Sequence, residues 1–346
     1  MRQRVAAIAA AMLALASGAA HAQSVEQFYK GRQITMVVGT SPGGINDISA
    51  RFAARYLGKY IPGNPAIVVE NQPGAGGITS ANRLANVFAH DGSVIAKLER
   101  AVPLLAIQGD PNVHFDPLKL TWLGSLSSYA DDAYLMLVNA QHAAKTVADL
   151  KRPGMQVVLG ADNAASSNLI FAVIAKEVLG LNVNVVRGYT GAAPLFLAMQ
   201  RGELDGQMVG LSSVRTGQRD LWTRRAFRPL MAFGRTRRHA EFPDMPIARE
   251  LTGDPGSLSL IQFAELPFFM ALPFAAPPDV PPDRAKALQT AFMAMCRDRA
   301  FLEEADKLGI DMSPIDGEAI LTLLARTAAT PSEVIARYNA LGDEKK

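Results

Sequence analysis

Between residues 33 and 99 an apolar run, a glycine turn and an amphipathic helix follow one another twice, and a third apolar run closes the series. RQITMVVG leads through SPGG into a segment with Ile45, Ile48, Phe52 and Tyr56 on one helical face. PAIVVEN leads through PGAGG into a second, carrying Ile78, Ala81, Ala85 and Phe88, and SVIAKLE follows the Asp91-Gly92 turn. Apolar spacing that switches from strand-like runs to a three-to-four repeat marks β-α-β-α-β. Parallel strands need a crossover between them, so this order forces a parallel sheet covered by helices.

The pattern then returns. MQVVLGA, the polar loop DNAASSN and LIFAVIAKEVLG, closed by Gly180, form one unit; NVNVVRGY, TGAAP, LFLAMQRG and LDGQMVG form the next. A chain of 346 residues exceeds one ordinary core, and two α/β lobes account for it. The expected division is residues 23–125 in the first lobe, 126–230 in the second, and 231–346 returning to the first with the C-terminal helices. The chain is expected to cross around LTWLGSLS and again around RPLMAFGR, and paired crossings make a hinge suited to closing over a ligand.

Residues 1–22 combine Arg2 and Arg4, an apolar stretch from Val5 to Ala16, and Ala20-His21-Ala22. This is the layout of a secretory signal peptide, too short to span a bilayer, so an exported, periplasmic protein is expected. The formal charge of +3 includes both of those arginines, which leaves a nearly neutral remainder and argues against nucleic acid as a partner. The single Cys296 lies in the apolar AFMAMCRDRAFL, where a buried role is expected. No pair of histidines or cysteines has metal-ligand spacing and no calcium loop is present, so no metal and no cofactor are expected.

The candidate binding residues sit at the strand-to-helix junctions. Gly39-x-Ser41-x-Gly43 has the form of a nucleophile elbow. The residue after Ser41 is Pro42, which has no N–H for an oxyanion hole, so a secreted serine hydrolase is the weaker alternative. The same loop suits an anion. Gly43 and Gly44 allow close backbone approach, Asn46 or Asp47 can cap the helix, and the helix start is electropositive. A bulky residue at Gly44 is therefore expected to abolish binding with the fold intact. Asp47 would compete with an acidic ligand unless Arg51 or backbone donors neutralise it. PGAGG nearly matches a dinucleotide fingerprint, with Glu99 as the downstream acid, but Thr79 replaces the third glycine. In the second lobe, Ser166 and Ser167 offer hydroxyls or plain helix caps, Gly191 a close approach or plain packing, and Asp205 an acceptor or a turn end. Arg100, just past the third strand, can take a carboxylate bidentately or pair with Glu99.

In order and spacing these segments resemble the substrate-binding proteins of tripartite tricarboxylate transporters, the Bug family of periplasmic solute receptors. The stretches that carry the resemblance are FYKGRQITMVVGTSPGGINDISARFAARYL, VVENQPGAGGITSANRLA, DGSVIA, FDPLKLTWLGS, GYTGAAPLFLAMQRGELDG and ATPSEVIARYNAL. The resemblance implies a type II-like periplasmic binding protein: two lobes, two crossovers, and a small organic carboxylate in the cleft. It implies that Thr40, Ser41, Gly43, Gly44, Asn46 and Asp47, with Ala75, Gly76 and Gly77, hold one carboxylate. It implies that Asn163, Ser166, Ser167 and Asn168, with Tyr189, Thr190, Gly191 and Ala192, select the rest. A monomer that hands its ligand to integral membrane subunits is the implied partner arrangement, and a carboxylate-sensing receptor for a membrane signalling partner is the alternative. DNAASSN and GQMVGLSS depart from the family's usual second-lobe loops, which leaves the ligand's identity open.

Overall fold

The computed structural model describes residues 23–162, 166–189 and 191–343. The expected signal peptide, and the expected site residues Asn163 and Thr190, lie outside the described residues.

The chain opens with β1 (Gln33–Val38), β2 (Ala66–Asn71), β3 (Val94–Lys97) and β4 (Thr121–Ser125). It then builds a second sheet from β5 (Tyr134–Asn139), β6 (Val157–Gly160), β7 (Val183–Val186), β8 (Gly206–Gly210) and β9 (Phe227–Phe233), and returns with β10 (Pro273–Ala276) and β11 (Ile315–Asp316). The first sheet has the order β11-β4-β10-β3-β1-β2, the second β7-β6-β8-β5-β9. β1 is parallel to β2 and β3, and β6 is parallel to β7 and β8, as the crossover helices require. Returning strands run the other way: β10 is antiparallel to β3 and β4, and β5 to β8 and β9. The protein is thus two α/β lobes, each with its own sheet.

Helices α1 (Ile45–Leu57) and α2 (Ile78–Asn86) follow β1 and β2, and α3 (Ser167–Val173) and α4 (Ala192–Gln200) follow β6 and β7. On one face of the first sheet Phe52, Phe292 and Phe301 form the core; on the other Leu84, Trp122 and Ile320 do so. Gly39 has no room for a side chain, since a Cβ there would strike Ser80 and the Gly77 backbone. The two glycine loops of the first lobe therefore touch.

RPLMAFGR, expected at the second crossing, belongs to the edge strand β9, which leaves the sheet after Phe233. Pro229 is tolerated there because it faces a register shift in the β5 pairing, and an edge strand needs only one hydrogen-bonded side. The crossing that follows carries α5 (Pro255–Phe269), capped by the Asp254 carboxylate on the Ser257 N–H at 2.7 Å. An all-round apolar helix must be buried on all sides. In α5, Leu260, Ile261, Ala264 and Phe268 enter the core of the second lobe, while Phe263 and Leu266 enter that of the first. The last helix, α6 (Ser332–Asp343), behaves alike: Val334 and Leu341 join the second-lobe core and Ile335 packs on the first.

Candidate functional site

Ligands of open α/β sheets bind outside the carboxyl ends of the strands, and there the two lobes enclose a cleft of about 610 Å³. From the first lobe it takes Asn46, Glu99 and Arg100; from the first crossing Ser127, Tyr129 and Asp132; from the second lobe Tyr134, Asp162, Asn168, Ala192 and Ser212. Leu308–Asp311 completes the wall, and the half-exposed Ile45 and Leu308 give it an apolar lip.

At the floor, β3 ends in Lys97, which is fully buried. Its ammonium donates to Asn46 Oδ1 at 2.6 Å and to the Leu98 carbonyl at 2.7 Å. Asn46 Nδ2 donates in turn to Glu99 Oε2 at 2.7 Å. Desolvation pushes the Lys97 ammonium down to about 7, against the pull of Glu99. Burial likewise raises the Glu99 carboxyl above its ordinary value, opposed by Lys97 and Arg100. Gly77 seats Glu99: at a φ of 93°, a Cβ there would stand 2.5 Å from Glu99 Cγ. Arg100 does not pair with Glu99. Its guanidinium lies over the Phe268 ring of α5 at 4.3 Å and beside Tyr129 at 6.0 Å, and among the described residues it has no ion pair.

On the facing wall, Asp132 accepts from the Ala133 N–H at 2.8 Å, the Ser212 N–H at 3.1 Å and the Ser212 hydroxyl at 2.6 Å. Burial raises its pKa despite these bonds. Burial also pushes the Tyr129 phenol up to about 12 and raises that of Tyr134 further, so both hydroxyls stay protonated at neutral pH. Asn168 Oδ1 accepts from the Asp162 N–H at 3.1 Å and from the Ser166 hydroxyl at 2.5 Å, and Asp162 Oδ1 accepts from the Gly191 N–H at 3.1 Å. These bonds tie the two loops of the second lobe together.

Of the residues expected from sequence, Asn46, Arg100, Asn168 and Ala192 line the cleft. Gly77, Ser166 and Gly191 stand behind them as supports. The first glycine loop is engaged by the protein itself. Its Gly43 N–H, expected to reach a ligand, donates instead to Asp47 Oδ2 at 2.9 Å. Asp47 is buried and also accepts from Arg51 Nε and Asn71 Nδ2, each at 2.9 Å. Burial opposes its charge, but the bonds from Arg51, Gly43 and Asn71 prevail and hold its carboxyl below the usual range. The protein's own carboxylate thus occupies the electropositive helix start, so it does not compete in the cleft. Thr40 gives its carbonyl to Asn71 at 3.0 Å, and its buried hydroxyl has no partner among the described residues. Ser41, Gly43 and Gly44 are exposed outside the cleft lining, as are Ala75 and Gly76. A Cβ at Gly44 would point into open space, so the fold itself leaves room for a side chain at that position. No histidine among the described residues hydrogen-bonds Ser41.

Ser167 faces a different groove, with Leu104 and Tyr338. Tyr189 packs on the apolar cluster around Leu195. Of the two roles open to Asp205, the structure displays the second: its carboxylate accepts from the Val158 N–H at 2.8 Å, at the end of β8 remote from Gly210, which is the end that enters the cleft. It terminates a turn. Sequence reasoning passed over Tyr129, Asp132, Tyr134 and Ser212 as site residues. The only available signals were the GQMVGLSS departure and the polar SSYADDAY following a strand.

Two α/β lobes with a polar cleft between them, crossed twice by the chain, define a solute-binding protein of the periplasmic type. A sequence profile described as the tripartite tricarboxylate transporter family receptor matches residues 50–340, and the chain belongs to that family. It is 26% identical over 318 residues to a UPF0065 protein of Bordetella pertussis, covering 89% of this chain and 88% of that one. It is 34% identical over 143 residues to a UPF0065 protein of Cupriavidus necator, a match that spans only 41% of either chain. Among solved structures, a TctC solute-binding protein from Polaromonas superposes with a TM-score of 0.70 at 19% identity, covering 89% of this chain and 99% of that one. MatC from Rhodopseudomonas palustris, solved with bound malate, superposes with a TM-score of 0.56 at 20% identity, covering 90% and 99%.

Proposed function

We propose that this protein is an extracytoplasmic receptor that captures a small organic carboxylate between its lobes and presents it to membrane subunits of a tripartite tricarboxylate-type transporter, without chemical turnover. The observation that carries the reading is Arg100. Its guanidinium stands in the cleft on an aromatic face from α5 with no carboxylate partner among the described residues. A planar cation so placed takes a carboxylate through charge-assisted, bidentate hydrogen bonds. The Tyr129 and Tyr134 phenols supply neutral donors around it, and the cleft is large enough for a metabolite. Family membership and the malate found in the related MatC support the carboxylate class.

The test is native mass spectrometry of the purified protein, then a thermal-shift and calorimetric panel of carboxylates. Micromolar affinity, about 8 kcal/mol, is expected for the best ligand. Arg100→Gln should weaken that ligand by roughly tenfold or more, as expected for a hydrogen bond to a charged group, while the unliganded melting curve stays put. Absence of any carboxylate binding to the wild-type protein would refute the reading.

A further inference from the structure

Among the described residues the cleft is lined by four acids, Glu99, Asp132, Asp162 and Asp311, against one lining cation, Arg100, with the Lys97 ammonium buried beneath Asn46. Three of the acids are engaged by the protein. Asp132 and Asp162 accept the bonds described above, and Asp311 accepts from the Ser127 hydroxyl at 2.5 Å and the Ser313 hydroxyl at 2.7 Å. Glu99 differs. Its Oε2 takes the Asn46 amide, but its Oε1 is buried with no partner among the described residues. No side chain at position 77 relieves this, since only glycine has room there against Glu99 Cγ. Nor can Asn46 help, because Lys97 donates to its oxygen and so commits its amide N–H to Glu99 Oε2. A buried acceptor left unmade is expensive, and the residue that carries it lines the cleft.

We propose that Glu99 and Arg100 form a bipolar recognition pair: Arg100 takes a ligand carboxylate, and Glu99 takes an N–H donor, foremost a protonated amine, on the same molecule. The ligand class is then an amino-carboxylate with little or no net charge, rather than a di- or tricarboxylate. The reading rests on the carboxylate receptor proposed above and narrows its ligand. The excess of acid in the wall supports it independently. A second carboxylate would enter a site already rich in negative charge, which is how a site rejects a near relative of its ligand. A site built to hydrogen-bond a donor discriminates strongly against the analogue that lacks it, because its acceptor is then left unpaired.

The test is isothermal calorimetry with matched probes. These are glutarate, 5-aminopentanoate, pentanoate and glutamate, then wider sets of α-amino acids and their deamino counterparts. Wild-type protein is compared with Glu99→Gln and Glu99→Asp. The tightest wild-type ligand is expected to carry the amine, by tenfold or more over its deamino or dicarboxylate counterpart. Glu99→Gln should lose tenfold or more for the amine-bearing ligand while changing its counterpart by less than threefold or improving it. Glu99→Asp, which keeps the charge, should restore part of the selectivity. A dicarboxylate that binds wild-type protein best, or a Glu99→Gln loss equal for both members of a pair, overturns the inference and leaves the carboxylate receptor standing. Should Glu99→Gln fail to fold, the wild-type ranking and Glu99→Asp decide between these outcomes. Silence of all carboxylates with wild-type protein would instead refute the receptor reading itself.

Discussion

Glu99 depends on a glycine it does not follow in sequence. Gly77 holds a left-handed φ of 93°, and any Cβ there meets Glu99 Cγ at 2.5 Å. Gly77→Ala therefore combines backbone strain with displacement of the carboxylate, and a loss of about 1–3 kcal/mol is expected. Gly44 is the control: its φ is −84° and its Cβ direction is open, so Gly44→Ala should stay within about 0.5 kcal/mol of wild type. Urea unfolding of both variants checks the contrast, and equal losses would show that the Gly77 contact does not matter. Both glycines are visible in the sequence as turn formers. Which one touches the site was not, because Gly77 and Glu99 are brought together by the pairing of β1 with both β2 and β3. The same holds for Asp47. A carboxylate in the first turn of a helix is easily read from sequence. That it would take the Gly43 N–H for itself depends on the loop's path and on Asn71 from β2.

At the scale of elements, α5 is the member shared by both lobes, and it carries a buried charge. Glu265 is fully buried, accepts from the Gly234 N–H at 2.9 Å just after β9, and pairs with Arg249 at 2.6 Å. Burial pushes its carboxyl up to about 7, against the pull of Arg249 and the Gly234 bond. A carboxyl whose folded pKa is raised stabilises the fold fully only below its unfolded value. That contribution is lost as pH rises from about 4.5 through about 7. The stability of wild type relative to Glu265→Gln is thus expected to fall across that window, on the order of 3 kcal/mol. Denaturant titrations at several pH values measure it, and a flat difference would contradict the assignment. The parallel strands and the helices that cross between them were legible because their apolar periods are local, whereas the all-round apolar α5 has no such period. β5, β9 and β10 were not legible either. YLMLVN and PFAA are buried continuous runs, which periodicity cannot tell from other core segments.

For the molecule as a whole, the lobes are joined by more than two crossings of chain. Both α5 and α6 place side chains in the cores of the two lobes at once, so the C-terminal helix ties together lobes whose other residues are distant from it in sequence. Leu341 lies at the very end of the chain yet belongs to the second-lobe core. Leu341→Ala is expected to cost about 2–4 kcal/mol. The loss should appear as reduced hydrogen-exchange protection of β6 and α3 in the second lobe, and protection changes confined to the first lobe would argue against that tie. The class of fold, the pair of sheets and the glycine-turned junctions were all readable from residue order, because strands and helices follow from neighbours within a few positions. The identity of the cleft wall was not. Arg100 meets Phe268, Glu99 meets Asn46, and Asp132 meets Ser212 across long stretches of chain. Such contacts exist only after both sheets have formed and α5 has packed between them, so no local pattern announces them.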